Sequence, residues 1–340
     1  MLAYGETMAL SASEIARAYS VQFTDAQDIL AFFTRTVQSH FIDWFNAKVA
    51  NRDNWKLRAI HSTADSKERF NKIWDAISII FPASPINLFQ FTALISVIIN
   101  EAGADLLPQC ECCGSSRFPG LAYAFCDVPG LKRSYNVAPL NKLAGNLFFD
   151  DADFWNAHGN KVGADSVRAL PVLRDQWNGA QYPTDHFSPA IDPKQPTFIE
   201  EADFYKFRGR GLIQITWRAN YKRLVPFVQS YSGTNPVVSQ YRQKWAGKDP
   251  DLVCTISSNQ DWDALFLDSE LTVACRAIGI HNQLSGNYLA LSSDASKLMA
   301  LSPIPGSLFM MGYRINGSRD YANLFTARVT QLLSALPAPV

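Results

Sequence analysis

The sequence has no excess of charge of either sign. Its 31 basic and 31 acidic residues give a formal net charge of zero. Proteins that bind nucleic acids, and many that attack anionic cell walls, carry a net positive charge that attracts them to the target. The composition therefore predicts no nucleic-acid partner, and attraction to a polyanionic surface would depend on local patches.

Long apolar runs are also missing. The longest, Leu88 to Ile99, is too short to span a bilayer. The first twenty residues mix acidic, basic and hydroxyl side chains with apolar ones, unlike a secretory signal peptide. The sequence thus predicts a protein without a membrane span that is made in the cytoplasm.

Cysteines are few, and four of the six lie close together, at positions 110, 112, 113 and 126. Zinc binding, disulfides and free thiols are all compatible with such a cluster. Its C-x-C-C spacing is not that of a common zinc module. We therefore predict no metal and no other cofactor.

What the sequence does have is enough length and apolar content for a sizeable core. With 340 residues, of which 47% are hydrophobic, it can form one large domain or two smaller ones. It contains no internal repeat and no low-complexity linker.

The first 65 residues are predicted to form a separate helical extension. Thr24 and Gln27 have the spacing of a capping box at a helix start. An aromatic stripe then recurs at helical spacing, and it comprises Phe32, Phe33, Phe41, Trp44 and Phe45. The stripe favours contact with the rest of the chain, and docking of a partner protein is the alternative.

Two further helices are predicted before residue 104. The first starts near Asp65 and ends before Pro82. The second, Leu88 to Gly103, is apolar almost all round, which is typical of a buried central helix. Gly103 is its predicted stop.

Glu101 lies at the C-terminal end of this apolar helix. The negative end of the helix dipole and the apolar surroundings both disfavour a charged carboxylate there. Both effects favour the protonated form, which a general acid needs. The alternative is a solvated glutamate on the last helical turn.

The most distinctive stretch runs from Phe204 to Tyr221. Two glycines flank Arg210 and predict a turn. Polar and apolar residues then alternate, so a strand would place Gln214 and Thr216 on one face. Such a face suits a groove for a polar polymer, although a plain structural hairpin would show the same pattern.

The order G-R-G-L-I-Q-I-T-x-x-x-N-Y resembles the core signature of family 19 glycoside hydrolases, which include plant-type chitinases and phage endolysins. The wording I-Q-I-T is closer to the endolysins, although Trp217 stands where those commonly have glycine. Three further segments resemble the family in the same order: N-E-A-G at 100–103, D-P-D-L-V at 249–253 and Y-R-I-N-G at 313–317. Asn100 replaces the histidine of similar endolysins.

The resemblance implies a mainly α, lysozyme-like, bilobed helical domain over residues 66–340, with a small β element in the cleft and an insert at about 151–203. It implies hydrolysis of β-1,4 bonds between amino sugars, with Glu101 as the acid and with Thr216 and Gln214 orienting water or the sugar. The substrate-binding residues it implies are Trp217, Asn220, Tyr221 and Asn316. Arg210 and Arg314 are expected to form ion pairs rather than touch substrate.

The resemblance implies a second catalytic acid, but Lys132 or Arg133 occupies the equivalent position in this sequence. Asp127 and Glu111 are nearby carboxylates that could replace it. The sequence therefore predicts an inverting peptidoglycan hydrolase of the bacteriolytic, endolysin-like type. The alternatives are a chitinase and a catalytically weakened cell-wall-binding pseudo-enzyme.

A wall hydrolase made in the cytoplasm needs a route to its substrate. The sequence predicts delivery by a phage lysis system or, for an antibacterial toxin, by a secretion system. A delivery or immunity protein could bind through the N-terminal extension.

Overall fold

The computed structural model describes residues 9–81, 85–110, 207–216, 218–284, 293–301 and 306–337. Over these residues the chain is mainly helical, with two small two-stranded sheets. It divides into two compact units. The first comprises Met1–Pro108, Gly211–Ile213 and Ala274–Val340, and the second comprises Gln109–Arg210 and Gln214–Val273.

Six α-helices precede the long undescribed segment. They are α1 Ala12–Ser20, α2 Ala26–Val37, α3 Phe41–Lys48, α4 Ala64–Asp75, α5 Ile77–Ile80 and α6 Leu88–Ala102. Strands β1, Gln22–Phe23, and β2, Ile86–Asn87, pair antiparallel, and a short 3-10 turn, Gly103–Asp105, follows α6.

The helices after residue 217 are α7 Arg218–Lys222, α8 Val225–Gln229, α9 Pro236–Trp245, α10 Pro250–Ile256, α11 Asn259–Leu267, α12 Thr272–Leu284, α13 Ala295–Leu298, α14 Leu308–Asn316 and α15 Arg319–Ser334. Strands β3, Gln109–Cys110, and β4, Arg210–Gly211, form the other sheet. None of the described helices is both long and apolar enough to cross a membrane.

Helix α6 forms the centre of the first unit because ten of its fifteen side chains are apolar and they occur on all sides of the helix. Twelve of its residues are buried. A capping box joins Asn87 and Gln90 at its start, with each side chain bonded to the other residue's backbone N–H at 2.8 Å. At its end, Gly103 has a φ of 74°, a conformation that glycine adopts without strain.

The aromatic stripe of the N-terminal segment packs on α6. The Phe33 ring lies 5.8 Å from Phe91, and the Phe41 ring lies 5.3 Å from the same ring. Phe33 and Phe41 are completely buried. The predicted contact with the rest of the chain is therefore present, and the stripe is not open to a partner. The domain boundary at residue 65 itself stays a prediction.

Two predicted helix starts shift by a residue or two. Asp25, not Thr24, caps α2, because its side chain accepts from the Asp28 N–H at 3.0 Å. Thr63 caps α4 by accepting from the Ser66 N–H. In both cases another hydroxyl or carboxylate within two residues of the predicted one has the cap geometry.

Candidate active site

The carboxyl group of Glu101 lies on the last turn of α6, partly exposed. Its Oε1 accepts two hydrogen bonds, from Asn100 Nδ2 at 2.7 Å and from the Tyr321 hydroxyl at 3.3 Å. No described residue bonds to Oε2. One oxygen of the carboxyl is thus held by two donors, and the other has no hydrogen bond from the described residues.

A buried arginine, Arg328, contacts Asn100. Arg328 Nη1 donates to Asn100 Oδ1 at 2.6 Å, and its Nε donates to the Asn54 carbonyl at 2.8 Å. The guanidinium also lies over the Trp55 ring, 5.2 Å from its centroid. Burial, followed by repulsion from Arg58, lowers the pKa of Arg328 to about 10, so it stays charged at neutral pH.

Neither Tyr321 nor Arg328 was among the predicted site residues. Both lie on α15, more than 200 positions from Glu101 in the sequence. An aromatic residue and an arginine on a terminal amphipathic helix carry no local signal of such a contact. Asn316, predicted to bind sugar, is the exposed last residue of α14 in the same unit.

The signature stretch is a tight hairpin rather than the predicted strand. Arg210 and Ile215 pair as an antiparallel bridge, with N–H to O=C distances of 3.1 and 2.9 Å. The four residues between them reverse the chain, with positive φ at Gly211 and Gln214. Because a turn replaces the strand, the prediction that Gln214 and Thr216 share a strand face is wrong.

The other predicted residues of this stretch have mainly structural contacts. Gln214 Nε2 donates to the Gln109 carbonyl at 3.1 Å, and Asn220 Nδ2 donates to the Thr216 carbonyl at 2.7 Å. Thr216 is only 8% exposed. Trp217, Glu111, Asp127, Lys132, Arg133 and the insert at about 151–203 lie outside the described residues.

Tyr221 belongs to the core of the second unit. Its side chain is completely buried, its hydroxyl donates to the Arg208 carbonyl, and it accepts from Arg210 Nη1 at 3.0 Å. Burial raises the pKa of Tyr221 to about 12. The ring cannot reach a ligand, so the predicted sugar contact of Tyr221 is replaced by a role in holding the hairpin.

Asp263 on α11 joins two buried arginines at the base of this hairpin. Arg208 Nη2 reaches both carboxylate oxygens at 2.8 Å, and Arg210 Nε reaches Oδ1 at 2.7 Å. Arg210 is therefore ion-paired as predicted. Burial alone would raise the pKa of Asp263, but Arg210 and Arg208 outweigh it and lower that pKa.

We expect Asp263→Asn to lower the free energy of unfolding by about 3 kcal/mol at pH 7, because two buried guanidinium groups each lose the ion pair with Asp263. Asp263 has a lower pKa in the folded state than in the unfolded chain, so its contribution is present at neutral pH and is lost on acidification. The difference between wild type and variant should shrink as the pH falls below about 4, the ordinary range of an aspartate.

Urea unfolding at pH 7 and pH 3 measures this difference. Asp251→Asn is the matched control in the same unit, because the more exposed Asp251 pairs with Lys222 at the surface. Its effect should stay below about 1 kcal/mol. An Asp263→Asn variant as stable as the control variant at pH 7 would contradict the prediction.

Three cysteines lie among the described residues, at positions 110, 254 and 275, and none is joined to another by a disulfide. Burial raises the pKa of the Cys110 thiol to about 11 and that of Cys275 to about 12. Both therefore remain protonated at neutral pH.

Comparisons of the chain with protein-family models, with curated proteins and with solved structures found no match. The candidate site therefore depends on the resemblance of the motifs and on the contacts described above.

Proposed function

We propose that this protein hydrolyses β-1,4 glycosidic bonds between amino sugars, with bacterial peptidoglycan as substrate and Glu101 as general acid. The observation that carries the proposal is the Glu101 carboxyl at the end of a buried helix, with one oxygen held by Asn100 and Tyr321 and the other without a hydrogen bond from the described residues. A general acid needs a fixed orientation and an oxygen that can reach the substrate.

The order of the motif segments supports the same reaction. The segments around Glu101, Arg210, Asp249 and Asn316 follow one another as in family 19 glycoside hydrolases, and we propose that the described helices belong to a lysozyme-like, bilobed domain. Peptidoglycan is favoured over chitin because the I-Q-I-T wording is that of the endolysins. Delivery by a lysis or secretion system remains part of this proposal.

A cell-wall-binding module with little or no catalysis is the second candidate. Lys132 or Arg133 stands where the resemblance expects the second acid, and this observation favours it. Such a module would keep a polysaccharide groove without turnover.

Release of reducing ends from purified peptidoglycan, measured beside chitin oligomers, tests the proposal. We expect release from peptidoglycan. Release from chitin alone would assign the protein as a chitinase, and co-sedimentation with peptidoglycan without release would assign it as a binding module. Neither binding nor release would overturn the proposed function.

We further expect the reaction to invert the anomeric centre. A retaining enzyme needs a second carboxylate about 5 Å from the first, to attack the sugar directly. The resemblance provides none at its expected position. An inverting route instead uses a water on the opposite face of the sugar, activated by a base about 6.5–9.5 Å from the acid, and Asp127 and Glu111 are the candidates for that more distant base. Proton NMR of fresh product should show the α-anomer first, and initial β-product would refute inversion.

The same assay addresses the second acid. If Thr216 helps to position the water, Thr216→Ala should lower the rate more than Asp127→Asn or Glu111→Gln. An Asp127→Asn or Glu111→Gln variant as inactive as one lacking the Glu101 carboxyl would instead reveal a second catalytic carboxylate.

A further inference from the structure

The Asn100 side chain connects Glu101 to Arg328, and the chemistry of its two ends fixes which way it points. An arginine can only donate hydrogen bonds, so the Asn100 atom 2.6 Å from Arg328 Nη1 must be the oxygen. The NH₂ group therefore faces Glu101 and donates to Oε1 at 2.7 Å.

This orientation decides which oxygen of Glu101 can carry a proton. The amide of Asn100 and the hydroxyl of Tyr321 both donate hydrogen bonds to Oε1. A proton on Oε1 would compete with these two donors. The proton of the neutral acid therefore belongs on Oε2, to which no described residue bonds.

Arg328 is itself fixed by its surroundings, so it can hold the Asn100 side chain in one orientation. Arg328 is 4% exposed, and it is fixed by the Asn54 carbonyl and the Trp55 ring. Arg58 Nη1 donates to the Asn100 carbonyl at 3.2 Å and so holds the backbone of the same residue. Both the amide and the backbone of Asn100 are thus restrained.

We propose that Asn100 and Arg328 are positioning residues, which hold the Glu101 carboxyl so that Oε2 presents its proton to the leaving oxygen of the substrate. This inference rests on the proposed function. In the step that it serves, the proton passes from Oε2 to the glycosidic oxygen as the bond from that oxygen to the anomeric carbon breaks, while a water oxygen bonds to the anomeric carbon and releases its own proton to solvent or to a base.

Two substrates separate positioning of the acid from general damage to the protein. An oligosaccharide needs its leaving oxygen protonated, whereas an amino-sugar glycoside of dinitrophenol has a leaving group that departs without a proton. Asn100→Leu removes the shorter of the two hydrogen bonds to Oε1 and should lower kcat on the oligosaccharide about tenfold or more, while kcat on the dinitrophenyl glycoside changes less than about threefold.

Asn46→Leu is the matched control. Asn46 bonds with both ends of its side chain to the Ile60 backbone, at 2.6 and 2.9 Å, in the same unit but without touching Glu101. Its effects on the two substrates should be equal. If Asn100→Leu fails to fold, Arg328→Lys serves instead, since a lysine keeps the charge but cannot donate to Asn54 and Asn100 in the same fork geometry.

The expected result is a selective loss on the oligosaccharide in Asn100→Leu or Arg328→Lys. An equal loss on both substrates, or no loss, would overturn the positioning role while the proposed function stands. Wild-type protein inactive on both substrates would instead overturn the proposed function, and the positioning role with it.

Discussion

Glu101→Gln should lower the rate of peptidoglycan hydrolysis about a hundredfold or more. Glutamine has the shape of glutamate and can keep its carbonyl oxygen toward Asn100 and Tyr321, which both donate to Oε1 in the wild type. It has no proton to give to a leaving oxygen. The variant therefore removes the chemistry of the acid and keeps the packing around it.

The fold should tolerate this change well. Glu101 lies at the C-terminal end of α6, where the helix dipole disfavours negative charge. Glutamine has the size of the protonated acid and keeps an acceptor oxygen toward Asn100 and Tyr321, so the melting temperature should change little. A variant with lost activity and an unchanged melting temperature would assign the loss to chemistry.

Glu68→Gln is a suitable control for this experiment. Glu68 lies on the exposed face of α4 and pairs with Lys72 one turn on, at 2.9 Å. The control should keep full activity, because a surface pair contributes little to stability. Near-normal activity of purified Glu101→Gln, measured beside it, would refute the general-acid role.

The helix that carries Glu101 was predictable almost to the residue. Its sequence is apolar on all sides, and it is bounded by Asn87 with Gln90 at one end and Gly103 at the other. The apolar pattern and the residues at the two helix ends are local features, so the bounds of the helix can be predicted without knowing which distant residues contact it. The prediction of Leu88 to Gly103 is therefore confirmed apart from the last residue, which is the cap.

The signature hairpin shows where such reasoning fails. Alternating polar and apolar residues at 212–216 predict a strand, but the observed turn depends on a left-handed backbone at Gln214, with a φ of 53°. Glutamine gives no warning of that conformation, unlike glycine or asparagine. The antiparallel bridge between Arg210 and Ile215 stabilises the turn. The spacing of polar and apolar residues does not indicate which residues will pair, so it could not predict this bridge.

The partners of Glu101 could not be predicted for a different reason. Asn100 is adjacent to Glu101 in the sequence, but its role depends on Arg328, which is 228 positions further along the chain. A contact over this sequence separation follows from packing of α15 on the rest of its unit. Only the three-dimensional structure reveals that the asparagine is part of a connected set.

Deleting residues 1–60 should leave a protein that does not fold stably, in contrast to the independent folding expected from a separate extension. The deletion removes Phe33 and Phe41, which lie 5.8 and 5.3 Å from the Phe91 ring, and so uncovers Phe91 in the first turn of α6. It also removes strand β1, the pairing partner of β2, just before α6 begins. The main helix of the unit would lose cover on one side.

The stability expected to be lost on deletion is comparable to the total stability of a domain. Loss of a single buried phenylalanine side chain costs about 3–5 kcal/mol, whereas a whole domain is stable by only about 5–15 kcal/mol. Phe33 and Phe41 alone account for most of that range, before Trp44 and Phe45 are counted. Circular dichroism, the soluble yield and the melting temperature of the 61–340 chain measure the effect.

Two point variants in the full chain provide the matched comparison. Phe33→Ala removes a completely buried ring and should cost about 3–5 kcal/mol. Leu57→Ala removes an apolar side chain that is 74% exposed in the same N-terminal segment, and should change stability by about 0.5 kcal/mol or less. If the 61–340 chain is soluble and melts cooperatively near the temperature of the full chain, residues 1–60 are a separable extension and the packing of the stripe contributes little to stability.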